Sequence, residues 1–572
     1  MDKEQVAAVL EEIGLLLQLK GENPFKTRAY ENAARILGML DDDLEQLVRE
    51  KRLGSIQGIG QALEKIIEEL VLTGRLEYYE KLKAEFPDTL FDLLRIPGLG
   101  AKKVSALYSR LGICSIEELR KACSEDRLID LPGFGRKTQE NILKGIGLVE
   151  ENAGRHLIHE AGGAAVSLLS RLKGCPGIRE ISVAGSLRRR KEIIKDIDIL
   201  ISTDQSDEVM DYIVSLPQVG DVTGRGDTKI SFRLKEGIAV DIRTVSPVQY
   251  PYALHHFTGS KEHNTKMRHI AKSKGIKMNE YGLFLGEDEE LIPCGDEAEI
   301  FNALGMAYIP PELREDRGEI EAAREGCLPL LVTAEDMRGI LHVHTNYSDG
   351  HSTIRQMAEA ARAMGYGYIG ISDHSHSAFY ANGLNIDDVL SQQAEIRELN
   401  DSLGDFRIFG GIESDILQDG SLDYSDEILS SFDFVIASVH SQFKMSKADM
   451  TKRILRAMDN PYTKILGHPT GRRLLSREGY EVDMEAILKK AAERGIIIEI
   501  NANPQRLDLD WRWSIRAKEL GVLMAVCADA HDISELSFMG FGVSVARKGW
   551  LETKDVVNCL DSSSLAALFM NN

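Results

Sequence analysis

The 572-residue chain contains no uninterrupted apolar run near the ~20 residues that a membrane-spanning helix requires. Its first residues, MDKEQVAAVLEEIG, are acidic and amphipathic and lack the basic flank and apolar core of a signal peptide. Cysteine is scarce and forms no CxxC pair; seven in this length exclude a small disulfide scaffold and suit a reducing cytosol. A basic excess is missing too. The net charge is −21, and Asp+Glu outnumber Lys+Arg by 55 to 45 before residue 333 and by 35 to 24 from there on. That excludes a simple basic coat for nucleic acid, so any such partner must be held by local patches, backbone amides or metal ions. What remains is ordinary for a folded, soluble, multidomain protein: 43% hydrophobic, 28% charged, and three to four times the ~150-residue length of a domain.

Three short glycine-bearing repeats punctuate the first 150 residues: Ile56-Gln57-Gly58-Ile59-Gly60, Ile96-Pro97-Gly98-Leu99-Gly100 and Leu131-Pro132-Gly133-Phe134-Gly135. Each precedes a polar, helix-forming stretch, the pattern of a helix, a tight glycine turn and a second helix. Such a turn exposes backbone N–H groups at a helix start, where a phosphate docks. Lys102, Lys103, Arg136 and Lys137 follow two of the turns. The repeats resemble helix-hairpin-helix motifs, which grip a DNA backbone without reading sequence.

From about residue 178 the pattern changes to strands, expected over Ile178–Gly185, Asp196–Ser202, Lys229–Leu234 and Ile238–Val245. Asp196 and Asp198 are two apart on one strand and share a face, and Asp241 lies on another strand that can set it beside them. Three convergent carboxylates suit a two-metal phosphoryl-transfer site.

GSLRRR, KDIDIL, VDIRTV and HHFTGSKEHNTKMR resemble the palm and thumb of X-family DNA polymerases, the family of DNA polymerase beta. The resemblance implies that Asp196, Asp198 and Asp241 hold Mg2+ or Mn2+. It sets Gly185, Ser186 and Arg189 on the incoming triphosphate, Phe257 and Gly259 by the sugar, and Asn264 and Arg268 by base or template. The family's Tyr-Phe pair is His256-Phe257 here. The lysine that beta-type enzymes use as a lyase nucleophile aligns with Ile66; Lys65 points about 100° away on a helix, so no lyase activity is expected.

Six of the fourteen histidines end apolar strands, in Ile340–His344, Ile369–His374, Phe434–His440, Ile465–His468 and Val522–His531, and Glu413 closes a related run. With Asp349 and Asp529 they form a ligand-rich set of the kind built at the C-terminal mouth of a βα barrel. Imidazole and carboxylate without thiolate favour zinc, manganese or iron. His351 and His376 have no strand position, and Glu499 and Asn501, after IIIEI, are pocket residues without an assigned role. HVHTNYSDG with SDH, GIE, SVH, GHP and DAH resembles the PHP (polymerase and histidinol phosphatase) domain, a distorted seven-stranded (βα) barrel. This implies a site of three ions on His342, His344, Asp349, His374, Glu413, His440, His468, Asp529 and His531.

The expected order is an N-terminal helical domain (1–86), fingers with two hairpin motifs (87–150), an α+β nucleotidyltransferase palm (151–245), a thumb (246–315), a linker (316–337) and a PHP domain (338–572). The first functional reading is a cytoplasmic, monomeric repair polymerase. It fills short gaps in gapped or nicked DNA by transferring nucleotides from dNTPs to a primer 3′-OH, with a PHP 3′-5′ exonuclease or 3′-end-processing phosphodiesterase and AP endonuclease activity as a further option. A phosphatase fused to a non-polymerising transferase and a DNA-end-binding scaffold are the alternatives.

Overall fold

A computed structural model describes residues 1, 3–38, 43–56, 58–87, 89–286 and 290–571; Gln57 of the first hairpin repeat lies outside them. The chain divides into two compact units, 1–153 and 154–572.

The first unit is helical. Helices Lys3–Lys20, Pro24–Gly38, Leu44–Arg49, Gln61–Thr73 and Glu77–Lys83 bury Leu10, Ile13, Leu17, Leu37, Ile67 and Leu70 in one core. A second core, built on Leu93, Val104, Leu107, Leu119 and Ile142, is enclosed by helices Leu90–Leu94, Ala101–Leu111, Ile116–Ser124 and Arg136–Glu151. In all three repeats the first glycine is left-handed: φ is +97° at Gly58, +83° at Gly98 and +85° at Gly133. The second, Gly60, Gly100 or Gly135, is extended and caps the following helix. This is the turn-then-helix geometry that the repeats imply.

The second unit contains a five-stranded sheet in the order Ile178–Val183, Asp196–Thr203, Ala239–Val245, Lys229–Leu234, Val219–Arg225. Only the pair Asp196–Thr203 and Ala239–Val245 is parallel. The four expected strands are present within a residue or two. The fifth, Val219–Arg225, escapes sequence reading because all but its first residue are exposed and no apolar alternation marks an edge strand. Helices Tyr250–Thr258 and Lys261–Ser273 and a small antiparallel sheet (276–279, 282–285, 290–292) follow.

Residues 316–337 are no solvated tether. Glu319 and Ile320 are buried, Glu319 lies 2.8 Å from His263 Nδ1, and Val332 belongs to the core of the unit. The preceding Arg314 is also buried, 2.5 Å from Glu297. The charged run reads as surface by composition, but pairing removes the cost of burying it.

Seven parallel strands, Gly339–Val343, Tyr368–Ile371, Arg407–Asp415, Phe434–Ser438, Thr463–Leu466, Ile497–Asn501 and Met524–Ala530, close into a barrel in chain order, the last pairing with the first. All are wholly or nearly buried, as both-faced burial in a βα barrel requires. One apolar core runs from Ile158 and Leu172, against the five-stranded sheet, to Trp511 and Val543 on the barrel.

Candidate functional site

The parallel pair aligns Asp198 directly opposite Asp241, with Asp196 two residues away on the same face. Ser231 Oγ donates to Asp241 Oδ1 at 2.6 Å and Lys229 Nζ lies 2.7 Å from Oδ2. Burial alone would raise the Asp241 carboxyl, yet Lys229 and Ser231 hold it below its usual range. Asp198 behaves oppositely: burial, then the charges of Asp196 and Asp241, push it up to about 7. Three carboxylates thus crowd one place with too little positive charge among them, a donor set that suits a divalent cation.

Two of these carboxylates, Asp196 and Asp198, border a cavity of about 370 Å3 that is also lined by Gly185, Ser186, Arg189, His256, Phe257, Gly259, Lys261, Asn264 and Arg268. All seven residues that the sequence sets on the nucleotide therefore share one cavity; Lys261, adjoining the TGS motif, was not singled out. Gly185 is left-handed at φ +57°. Asn264 Nδ2 donates to the His256 carbonyl at 2.7 Å, and the Arg243 guanidinium lies 4.6 Å from the Phe257 ring centre. Arg188 turns away to Glu297, 2.5 Å distant, whereas Arg189 faces the cavity, donating from Nη1 to the Thr258 carbonyl. In the first unit Ile66 is half-buried against the core and Lys65 is exposed.

At the C-terminal end of the barrel the nine expected ligands form one cluster around Glu413. Glu413 Oε1 lies 3.3 Å from His342 Nε2, 3.2 Å from His440 Nε2 and 3.0 Å from His468 Nε2. Its Oε2 lies 3.6 Å from His344 Nε2. Asp529 Oδ1 is 3.4 Å from His344 Nε2, and Asp349 Oδ1 is 3.4 Å from His531 Nε2 and 3.7 Å from His374 Nε2. Within it, the donor atoms of three groups lie close enough together that each could hold a metal ion: His344, Asp349, His374 and His531; His342, His344 and Asp529; and His374, Glu413 and His440.

The donor set fits metal ions. His342 Nε2 and both ring nitrogens of His344 are buried without a hydrogen-bond partner, a cost that coordination would remove, while His374 Nδ1 lies 2.9 Å from Glu413 Oε2. His342, His468 and Asp529 hold left-handed φ values of +61°, +23° and +50°. Side-chain convergence at a functional site is where such strain persists. Burial and the His531 and His374 rings lower His344 to about 3. For His440 burial acts downward, but Glu413 and Asp415 overcome it and raise the ring to about 9.

The residues behind the ligands are equally ordered. Glu499 Oε1 accepts from His342 Nδ1 at 2.6 Å, and its other oxygen accepts the His468 backbone N–H. Asn501 Nδ2 donates to Asp529 Oδ2 at 3.0 Å. Glu499 and Asn501, without a role in the sequence, thus orient three of the candidate ligands, His342, His468 and Asp529. Sequence reading missed Asp415, which accepts from His440 Nδ1 at 2.6 Å, although its place two residues after Glu413 on one strand was a usable signal. It also missed Arg506, 3.2 Å from Asp529, and Tyr380, an exposed ring 6.1 Å from that of His374. His351 and His376 stand in none of the three groups.

Comparison with known proteins matches four segments of the chain. A helix-hairpin-helix domain model matches residues 1–76, a SAM-like helix-hairpin-helix tandem 90–147, a DNA polymerase beta thumb 253–315 and a PHP domain 341–503. The DNA polymerase/3′-5′ exonuclease PolX of Bacillus subtilis (strain 168) is 40% identical over 574 residues, covering 100% of both chains. A probable phosphatase of Caldanaerobacter subterraneus subsp. tengcongensis is 31% identical over 215 residues, 34% of this chain and 77% of its own. Another, from Thermoanaerobacter sp. (strain X514), is 32% identical over 215 residues, 34% of this chain and 80% of its own. Among the described residues no helix is long and apolar enough to cross a membrane.

Proposed function

Because the chain belongs to the family of the DNA polymerase/3′-5′ exonuclease PolX, we propose that the carboxylate cavity performs synthesis and the barrel mouth removes 3′-terminal nucleotides. The protein is a DNA polymerase with a 3′-5′ exonuclease. In this reading Asp196, Asp198 and Asp241 hold two Mg2+ or Mn2+ ions, hard cations suited to carboxylate oxygens. Such ions supply charge neutralisation on the triphosphate and ease ionisation of the primer hydroxyl. The chain's own residues do the rest. Ser186 and Arg189 orient the dNTP triphosphate, with Gly185 leaving room beside Asp198. Phe257 and Gly259 border the sugar, and Asn264, pinned to the His256 carbonyl, stands with Arg268 by base or template. Lys229 keeps Asp241 ionised.

The glycine hairpins bind the backbone of gapped or nicked DNA. Gly100 and Gly135 have ordinary φ values, and a Cβ on either would meet no protein atom within 4 Å. Neither conformation nor packing demands glycine there, so close approach from outside is the remaining reason. At the barrel mouth His342, His344, Asp349, His374, Glu413, His440, His468, Asp529 and His531 hold three ions drawn from zinc, manganese or iron, positioned by Glu499, Asn501 and Asp415. The ions supply a water ionised near neutral pH and screen charge developing on phosphorus. The domains divide as 1–86, 87–150, 151–245, 246–315 and 338–572, in a cytoplasmic monomer.

The observation that carries the reading is the Asp198–Asp241 register beside a cavity holding every expected nucleotide contact. Its test is a one-nucleotide-gapped duplex with magnesium or manganese. Extension with dNTPs and 3′ shortening without them support it. Binding alone favours the scaffold, and hydrolysis of small phosphomonoesters without action on DNA favours the phosphatase. An internal abasic site adds a readout for AP endonuclease cleavage.

A further inference from the structure

Lys548, on the barrel helix Met539–Lys548, is 1% exposed and reaches Glu312, Glu315 and the backbone of Arg189, a residue that lines the nucleotide cavity. Its ammonium lies 2.7 Å from Glu315 Oε1 and donates to the carbonyls of Arg189 at 3.1 Å and Glu312 at 3.2 Å. All three of its N–H groups are thereby used, and the Trp511 ring centre lies 4.7 Å away. Glu315 Oε1 is shared: Arg189 Nε donates to it at 3.1 Å, and Lys191 lies 3.7 Å from Oε2. Between these cations runs the turn Arg189–Lys191, where Arg190 is left-handed at φ +55°. One barrel side chain therefore holds both the backbone and, through Glu315, the guanidinium of a residue lining the nucleotide cavity.

An apolar side chain would join two packed surfaces at least as well as a buried ammonium does, because burying charge is costly unless every partner is in place. What the ammonium adds is direction. It draws Glu315 toward the barrel and so limits how far that carboxylate can pull Arg189 out of the cavity. We propose that Lys548 is a positioning residue of the polymerase reaction, contributed by the exonuclease barrel, which sets Arg189 for the incoming triphosphate through Glu315. This rests on the assignment of Arg189 to the triphosphate. The barrel helix that carries Lys548 donates none of the nine metal ligands, so the arrangement serves synthesis without serving hydrolysis.

The test is single-nucleotide insertion into one-nucleotide-gapped DNA by the full chain, with 3′ shortening of a primer measured alongside. Lys548→Met should raise KM for each of the four dNTPs by the same factor, about 5- to 20-fold, the lower part of the usual range of a coupling between sites. KM for pyrophosphate in the reverse reaction should rise likewise, while kcat for insertion stays within about twofold. The exonuclease rate should be unchanged, which also shows that the barrel is folded. Glu315→Gln, which keeps the shape and removes the charge, should raise KM in the same uniform way and supplies the test if Lys548→Met does not fold. In an Arg189→Ala background, Lys548→Met should add nothing further. An unchanged KM in both single variants, or a parallel loss of insertion kcat and exonuclease rate, overturns the proposal. If Arg189→Ala itself leaves KM unaltered, it is the triphosphate assignment that fails.

Discussion

A Cβ on Gly185 would sit 1.9 Å from Asp198 Oδ2, so the glycine that opens the nucleotide cavity leaves the space that the central carboxylate fills. The φ of +57° at Gly185 adds a second reason for glycine. Gly185→Ala must therefore displace Asp198 or the turn. Nucleotide insertion is expected to fall at least about 100-fold, as it does when reacting groups are misplaced by an ångström. Exonuclease activity and melting temperature of the barrel should stay as in the parent. Insertion at the parental rate would show that Asp198 need not stand where it does.

The hairpin glycines lead to a different expectation. At Gly100 and Gly135 a larger side chain meets no protein atom within 4 Å and needs no unusual backbone. Gly100→Leu and Gly135→Leu should leave the first unit folded, since exchanging glycine at a helix cap costs about 1 kcal/mol or less. Affinity for gapped DNA should drop about tenfold, the scale of one or two charge-assisted hydrogen bonds. The drop should be equal for unrelated sequences, because amide-to-phosphate contacts read no base. Titration of two duplexes of different sequence by fluorescence anisotropy measures both points, and unaltered binding would mark the hairpins as plain helical turns.

What could be read from the chain alone follows the range over which residues act. Asp196 and Asp198 declare themselves because a two-residue spacing on a strand fixes a shared face. The barrel ligands do so because each ends an apolar run. The edge strand Val219–Arg225 is silent, being polar throughout most of its length. So is the set of buried polar and charged groups around Arg314, Glu297, Glu319 and His263: composition assigns charge to the surface, and only pairing across the fold makes burial tolerable. Lys548 and Glu315 stand 233 residues apart, and nothing local in either neighbourhood names the other.

Glu499 tests whether the residues behind the ligands matter as much as the ligands. It is fully buried, and both oxygens accept hydrogen bonds, from His342 and from the backbone of His468. Glu499→Gln preserves volume but turns one acceptor into a donor facing another donor. Loss of such a supporting group costs about 10- to 100-fold in metal affinity or activity. Exonuclease activity should fall by that factor at limiting manganese and recover partly as manganese is raised, with nucleotide insertion in magnesium unaffected. Equal activity at every metal concentration would remove Glu499 from the site.

The last expectation is that the two chemistries are separable although the two structures are not. Asp198 contacts carboxylates and the cavity, while His344 contacts Glu413 and Asp529 at the barrel mouth; no residue is common to the two sets. His344→Ala and Asp529→Ala should abolish 3′ shortening and reduce the metal that copurifies with the protein, yet leave insertion in magnesium intact. Asp198→Ala should do the reverse, eliminating insertion by orders of magnitude while shortening persists. Should Asp198→Ala stop the shortening and His344→Ala leave it, the degradation would be reversal of synthesis by pyrophosphate and not hydrolysis at the barrel. Chelation adds a control, because under the proposed metal site His342 Nε2 and both ring nitrogens of His344, buried without a hydrogen-bond partner, would lose their coordination when metal is withdrawn. The melting temperature of the second unit should then fall equally in the parent and in Asp198→Ala. A fall in insertion in His344→Ala, with that loss of melting temperature and a raised KM for all dNTPs, would trace to the same Lys548–Glu315–Arg189 contact through which the barrel braces the cavity.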